Sequence, residues 1–201
     1  MDKSTVEKYV ENFKAYIFSK TDLSKLSKSD LLSLIVHKAY IDAISYERHI
    51  PQSLIIQHKD KVKKLVAGEL ANNSQEIVND FEKWHEKFCK NADYGDKYGV
   101  WQKLINMSFK YMYCFKDFFS EYKSVWTKCH CPIDQNVITA VYCILKAERL
   151  NGGDNSNEIK KIDFNWNSIS DAQYKDLQNK IGYICSKHGI SKLEFDFIMW
   201  G

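Results

Sequence analysis

Apolar side chains recur every three or four residues through most of this chain, which is the spacing of one face of an α-helix. The pattern is clearest over residues 2–19, 29–48, 51–66, 74–88 and 100–115. Turn residues are scarce, with 8 Gly and 2 Pro in 201 residues, whereas a β-rich fold of this length would need more of them. The sequence therefore predicts an all-α protein of about eight or nine helices, the third of them opened by Pro51.

Three positions near the C-terminus predict where helices begin and end. Ser170 with Gln173, and Ser191 with Glu194, match the capping box, in which two side chains bond each other's backbone N–H groups. Gly189 suits the C-terminal cap of the first of these helices. Similarly, Ser74 is a candidate N-cap for the helix over residues 74–88.

The length and a hydrophobic content of 44% suffice for a buried core in one domain. We expect a single helical domain over residues 1–201, with two lobes around a central cleft. One lobe would combine residues 1–90 with 151–201, and the other would hold residues 91–150. We also expect this domain to be a monomer.

No apolar run reaches the roughly 18 residues of a membrane span. Residues 1–4 also lack the apolar stretch of a signal peptide. We therefore expect a cytoplasmic protein that does not bind membranes, associated with the nucleoid if it binds DNA. Its six cysteines should be thiols in that reducing compartment.

The strongest candidate for chemistry is the run Gly99-Val100-Trp101-Gln102-Lys103, followed 31 positions after the lysine by Asp134. A glycine turn there would open a helix with Lys103 in its first turn. The N–H groups of such a helix start can hold a phosphate, and its positive end disfavours a charged lysine. A neutral, partly desolvated amine can act as a nucleophile. Asp134, just after Pro132, could cap the next helix or place a carboxylate at the mouth of a cleft.

Residues 94–145 resemble the helix-hairpin-helix DNA glycosylases, nearest the archaeal 8-oxoguanine branch. The run Gly99–Lys103 is similar to the family's Gly-Val-Gly-x-Lys hairpin, and Pro132-Ile133-Asp134 is similar to its Pro-Val-Asp element. The helix after Lys103 and the distance to Asp134 are also similar to those of the archaeal enzymes.

The resemblance implies an enzyme that binds duplex DNA, flips out a damaged or modified base and cleaves its N-glycosidic bond. An 8-oxoguanine-like purine is the favoured base. Lys103 would attack the sugar C1′ and form a Schiff base, which allows an associated lyase activity. Asp134 would assist departure of the base, and no metal or organic cofactor is required.

Other residues near these motifs are candidates for DNA contacts. The hairpin candidates Lys97, Tyr98, Gly99 and Trp101 would contact the DNA, because a glycine turn and nearby lysines suit a phosphate backbone. The candidates for the base pocket are His130, Pro132 and Trp200. Trp101 and Trp200 are the aromatic residues we favour for stacking on a flipped base.

The run Cys129-His130-Cys131 is a possible start of a zinc site. Zinc-binding cysteine pairs are usually separated by two to four residues, and the sequence holds no second clean pair. We therefore predict no metal site and treat these cysteines as buried thiols.

Two alternatives remain open. Trp101 stands where the family has its second hairpin glycine, which favours a catalytically inactive helical module that binds DNA or protein. A third possibility is a base-modifying enzyme of the same fold that acts on phage-like DNA. Geometry separates the enzyme from the inactive module, because catalysis needs the Lys103 amine and the Asp134 carboxylate to face one cavity.

Overall fold

The computed structural model describes residues 3–44, 57–90, 97–151 and 164–201, with the side chains of all but Leu150 and Asn151. Within these ranges the protein is all-α and contains no strand, as predicted. Three short 3-10 turns also occur, at Leu23–Lys25, Ser120–Tyr122 and Trp166–Ser168. The helices are α1 (Lys3–Phe18), α2 (Lys28–Ile44), α3 (Lys59–Asn72), α4 (Ser74–Asn79), α5 (Phe81–Lys90), α6 (Tyr98–Tyr113), α7 (Gln135–Asn151), α8 (Asp171–His188) and α9 (Lys192–Trp200).

Both predicted capping boxes are present. The hydroxyls of Ser170 and Ser191 each accept a bond of 3.2 Å from a backbone N–H, that of Gln173 and of Glu194. In return, the side chains of Gln173 and Glu194 each accept a hydrogen bond from the backbone N–H of the serine. Gly189 ends α8 in the left-handed region, at φ 64°, where a residue without Cβ is favoured.

The single helix predicted over residues 74–88 is instead two helices, α4 and α5. Ser74 is the first residue of α4 rather than its N-cap, which is Asn73. The break lies at Asp80, whose carboxylate accepts a bond of 3.1 Å from the N–H of Lys83. Such a side-chain bond competes with the helical backbone bonds, so α5 starts afresh after Asp80.

The buried apolar residues form two clusters. The larger one spans α1 to α6 and the turns after α6, and the smaller one joins α7, α8 and the Trp166–Ser168 turn. Helix α9 belongs to both, because Leu193 and Phe197 enter the larger cluster and Phe195 the smaller. The most extensive helix pair is α2 with α6, so α6 runs through the interior.

Several predictions lie outside the described ranges or stay open. The helix start at Pro51 lies in residues 45–56, and most of the loop before α6 lies in residues 91–96, neither of which is described. The helix-hairpin-helix element and the division into two lobes therefore stay predictions. No helix in the described ranges is both long enough and apolar enough to span a bilayer.

Candidate functional site

Lys103 and Asp134 line the same cavity, which encloses about 440 Å³. Its walls come from α1, α2, α6, α9, the first turn of α7 and the segment that leads into it. The structure thus brings together two residues that lie far apart in the chain. The cavity is also lined by Phe13, Tyr16, Ile17, Asp42, Met107, Lys110, Pro132, Asn136, Val137, Asp196, Met199 and Trp200.

Lys103 is half-buried and lies one helical turn later than expected. Because α6 begins at Tyr98, Lys103 is its sixth residue and belongs to the second turn rather than the first. The field of a helix end fades within the first turn, so the helix end does not neutralise this amine as the sequence argument assumed. The Nζ atom lies 4.1 Å from the ring centroid of Trp166, which is a cation–π contact.

Asp134 meets both of the roles that the sequence left open. Its Oδ1 accepts a bond of 3.0 Å from the N–H of Val137, so it caps α7. The same half-buried side chain also lines the cavity that contains Lys103. Capping therefore fixes the carboxylate at the cavity wall instead of removing it from the site.

A buried ion pair forms another part of the cavity wall. Lys110 Nζ lies 2.5 Å from Asp196 Oδ2, and the two side chains are only 3% and 11% exposed. Burial raises the pKa of Asp196, while the charge of Lys110 opposes that shift. The Lys110 amine also lies 4.2 Å from the ring centroid of Phe13. The cavity therefore holds two charges that are shielded from water.

This ion pair was not predicted from the sequence, although the spacing of the two lysines indicates where Lys110 lies. Lys110 follows Lys103 by seven residues, or two helical turns, so both lysines lie on one face of α6. The Asp196 partner comes from α9, whose position against α6 depends on tertiary packing.

The aromatic side of the cavity is formed by α1 and α9. Trp200 is 43% exposed, and its ring centroid lies 4.9 Å from that of Phe13 and 5.4 Å from that of Tyr16. Of the three residues predicted for the base pocket, Trp200 and Pro132 line this cavity. Trp200 thus offers an accessible aromatic surface beside the amine and the carboxylates.

His130, the third predicted pocket residue, lies elsewhere, which corrects that prediction. Its Nδ1 is 2.7 Å from the Tyr174 hydroxyl and its Nε2 is 2.8 Å from a Glu82 carboxylate oxygen. It also packs against the buried His85, at 4.8 Å between ring centroids. Burial lowers the pKa of both histidines. His130 is therefore part of a buried polar cluster between α5 and α8.

The predicted DNA contacts at the start of α6 need two corrections. Trp101 is 0% exposed and packs 5.6 Å from the ring of Phe88, so it is a core residue that does not face a DNA base. Gly99 is also buried, because the backbone of the Trp166–Ser168 turn lies directly on it. A Cβ at Gly99 would lie 2.1 Å from the carbonyl oxygen of Trp166, so the glycine serves this close approach rather than a phosphate contact.

The other two residues of that set differ in exposure. Lys97 is exposed immediately before α6, where it can reach a phosphate. Tyr98 is half-buried, and its ring centroid lies 5.3 Å from that of Tyr174. Lys97 is thus the residue of this set whose side chain is in solvent.

The cysteines are free thiols, and five of the six are buried. Burial raises the pKa of Cys129 and Cys131 well above the usual value, which favours the protonated thiol over the thiolate that binds metal. Within the described ranges, no group of three or more His, Cys, Asp or Glu side chains is arranged to hold a metal ion.

The chain has no match among protein-family models, curated protein sequences or solved structures.

Proposed function

We propose that this protein is a DNA glycosylase in which Lys103 is the nucleophile and Asp134 its partner. The observation that carries the proposal is the shared cavity, which is lined by Lys103 from α6 and by Asp134 immediately before α7. The same cavity also holds the shielded pair of Lys110 and Asp196. Perturbed or shielded charges in such a site are typical of catalysis.

The cavity also offers what a flipped base needs. Trp200 supplies an exposed ring for stacking, and the Lys110–Asp196 pair supplies a donor and an acceptor for the edge of a base. A volume of about 440 Å³ lies within the range of small-ligand sites. A damaged or modified purine, with donors and acceptors on its edge, is the base class that we favour.

In the proposed reaction, the neutral Lys103 amine attacks the sugar C1′ while the N-glycosidic bond breaks. The electron pair of that bond leaves with the base, which takes up a proton. The Asp134 carboxylate would offset the positive charge that develops on the sugar, and it would accept the proton that the attacking amine loses and pass it to the departing base. Opening of the sugar ring then gives an imine, from which β-elimination would cleave the strand.

Lys103 must leave the Trp166 ring to reach a sugar. The lysine side chain is long and unbranched, so its rotation off the ring moves the amine without moving α6. The contact with Trp166 would then be the resting position of the nucleophile.

Borohydride trapping against a panel of duplexes that each carry one damaged or modified base tests this proposal. Reduction of the imine should join the protein covalently to the duplex that carries the recognised base. Lys103→Ala should abolish this product and leave the fold intact, because the residue is only half-buried. Trapping that survives in Lys103→Ala would assign the nucleophile to another residue.

The second candidate function is a helical module that binds DNA or protein without catalysis. It is favoured by two observations: Asp134 already caps α7, and the Lys103 amine already contacts the Trp166 ring. Salt-sensitive binding to duplex DNA, with neither base release nor trapping on any duplex of the panel, would support this candidate.

A further inference from the structure

Two buried glutamines hold the irregular segment that leads to Asp134. Residues 129–134 belong to neither a helix nor a strand. The Gln102 side chain, on α6, donates to the carbonyl of Ile133 at 3.1 Å and accepts from its N–H at 3.2 Å. The Gln178 side chain, on α8, donates to the carbonyl of Cys131 at 2.6 Å and accepts from its N–H at 3.2 Å.

Each glutamine side chain therefore pairs with the N–H and the carbonyl of one residue, as an adjacent β-strand would. A primary amide presents a donor and an acceptor side by side, as the backbone of an adjacent strand does. Buried backbone groups require such partners, and this segment has no helix or sheet to supply them. The two glutamines satisfy residues 131 and 133, which lie on either side of Pro132.

The orientation of the Gln102 amide is fixed by two further bonds. Its nitrogen also donates to the Gly99 carbonyl at 2.9 Å, and its oxygen also accepts from the Asn106 amide at 3.2 Å. Because Gln102 immediately precedes Lys103, its side chain ties the helix of the proposed nucleophile to the residue before Asp134.

We propose that Gln102 and Gln178 are positioning residues, which set the backbone of residues 131–133 and so hold the Asp134 carboxylate in the Lys103 cavity. This inference rests on the proposed glycosylase function for its catalytic consequence. Neither glutamine lines the cavity, so neither is a catalytic residue. Their effect on the reaction would pass through the position of Asp134 alone.

The test compares Gln102→Met and Gln178→Met, which keep the side-chain length but remove all four side-chain hydrogen bonds of Gln102 and both of those of Gln178. The matched control is Ile181→Val, which removes a buried methyl group from α8 one turn beyond Gln178 and leaves the hydrogen bonds of residues 131–133 in place. Single-turnover base release should fall about 100-fold in each Met variant, because a misplacement of about 1 Å can cost that much. Duplex affinity should stay unchanged, and Ile181→Val should behave as the wild-type protein.

A second readout does not depend on activity. The N–H of Val137 bonds the Asp134 carboxylate, so its hydrogen exchange, followed by NMR, reports where that carboxylate lies. We expect this exchange to become faster in both Met variants and to stay slow in Ile181→Val. If Gln102→Met fails to fold, Gln178→Met, whose contact is two residues farther from Asp134, decides the test.

Three results separate the two proposals. Unchanged Val137 exchange in the folded Met variants overturns the positioning role, whatever the activity. A wild-type rate of base release in those variants, or an equal loss in Ile181→Val, also overturns it. Wild-type protein that releases no base from any duplex overturns the glycosylase function, whereas the Val137 exchange still decides the positioning role.

Discussion

Two cavities of this protein differ in both size and chemistry. The larger one, between α2, α3 and the Ser120–Tyr122 turn, encloses about 970 Å³, more than twice the 440 Å³ of the Lys103 cavity. One of its ion pairs, Lys28 with Glu121 at 2.7 Å, is largely exposed. The smaller cavity instead holds the shielded pair of Lys110 and Asp196 beside Lys103 and Asp134.

Volume alone therefore does not indicate which of the two cavities is functional. Gaps between helices arise wherever small side chains face each other, and exposed ion pairs at their rims contribute little. Burying a charge costs free energy, so buried charges are usually paired, and such charges are common at functional sites. We therefore assign the chemistry to the smaller cavity, and the following experiments test that assignment.

The largest expected effect is on stability, from the shielded pair. Lys110→Met should lower the free energy of unfolding by about 3–5 kcal/mol, because it leaves the Asp196 carboxylate buried without its cation. The double variant Lys110→Met with Asp196→Leu should recover most of that loss. Urea unfolding followed by circular dichroism measures both. A loss below about 1 kcal/mol in the single variant would make this pair no different from an exposed one.

The next effect is on chemistry at Asp134. Asp134→Asn should slow base release by about 100-fold or more, since it removes the charge that offsets the developing cation. Asparagine caps helices about as well as aspartate, so stability should hardly change. Asp134→Ala, which removes the cap too, should also cost about 1 kcal/mol in urea unfolding. If Asp134→Asn releases base as fast as the wild-type protein, the carboxylate serves only as a cap.

A smaller effect is expected on duplex affinity, and it tests which face of the protein contacts DNA. Lys97→Glu should weaken duplex binding several-fold at every sequence and reduce the dependence of log affinity on log salt by about 1. The matched control is Lys64→Glu, which reverses an exposed charge at the larger cavity and should leave binding unchanged. Fluorescence anisotropy over a salt series measures both variants. If Lys64→Glu weakens binding and Lys97→Glu does not, the DNA-binding surface lies on the α2–α3 side.

The smallest effect is expected from the exposed pair of the larger cavity. Lys28→Met should change the free energy of unfolding by less than about 1 kcal/mol, because its partner Glu121 stays solvated. Base release should be unaffected. Loss of base release in this variant would show that the larger cavity contributes to the reaction.

The parts of this molecule that sequence reasoning predicted depend on neighbouring residues. The apolar spacing predicted an all-α fold, and the Ser170 and Ser191 boxes predicted the starts of α8 and α9, because caps are local interactions. The shared cavity of Lys103 and Asp134, 31 positions apart, was instead expected from the family resemblance of residues 94–145.

The parts that sequence reasoning overlooked depend on packing between distant segments. Helix α6 is buried on nearly every side, so Trp101 could not be told from a surface aromatic by local spacing. The pairing of Lys110 with Asp196 and the contact of Lys103 with Trp166 both join α6 to residues much later in the chain. No local pattern specifies which distant partner a side chain will meet.

The close contact at Gly99 links the two hydrophobic clusters through backbone alone. The turn at Trp166, from the smaller cluster, rests on α6, from the larger one, at a point where a single hydrogen atom stands in place of a side chain. One added methyl group would have to push that turn away, and the Trp166 ring that holds the Lys103 amine would move with it. Gly99, which contacts no substrate in the proposed reaction, would thus determine the resting position of the Lys103 amine.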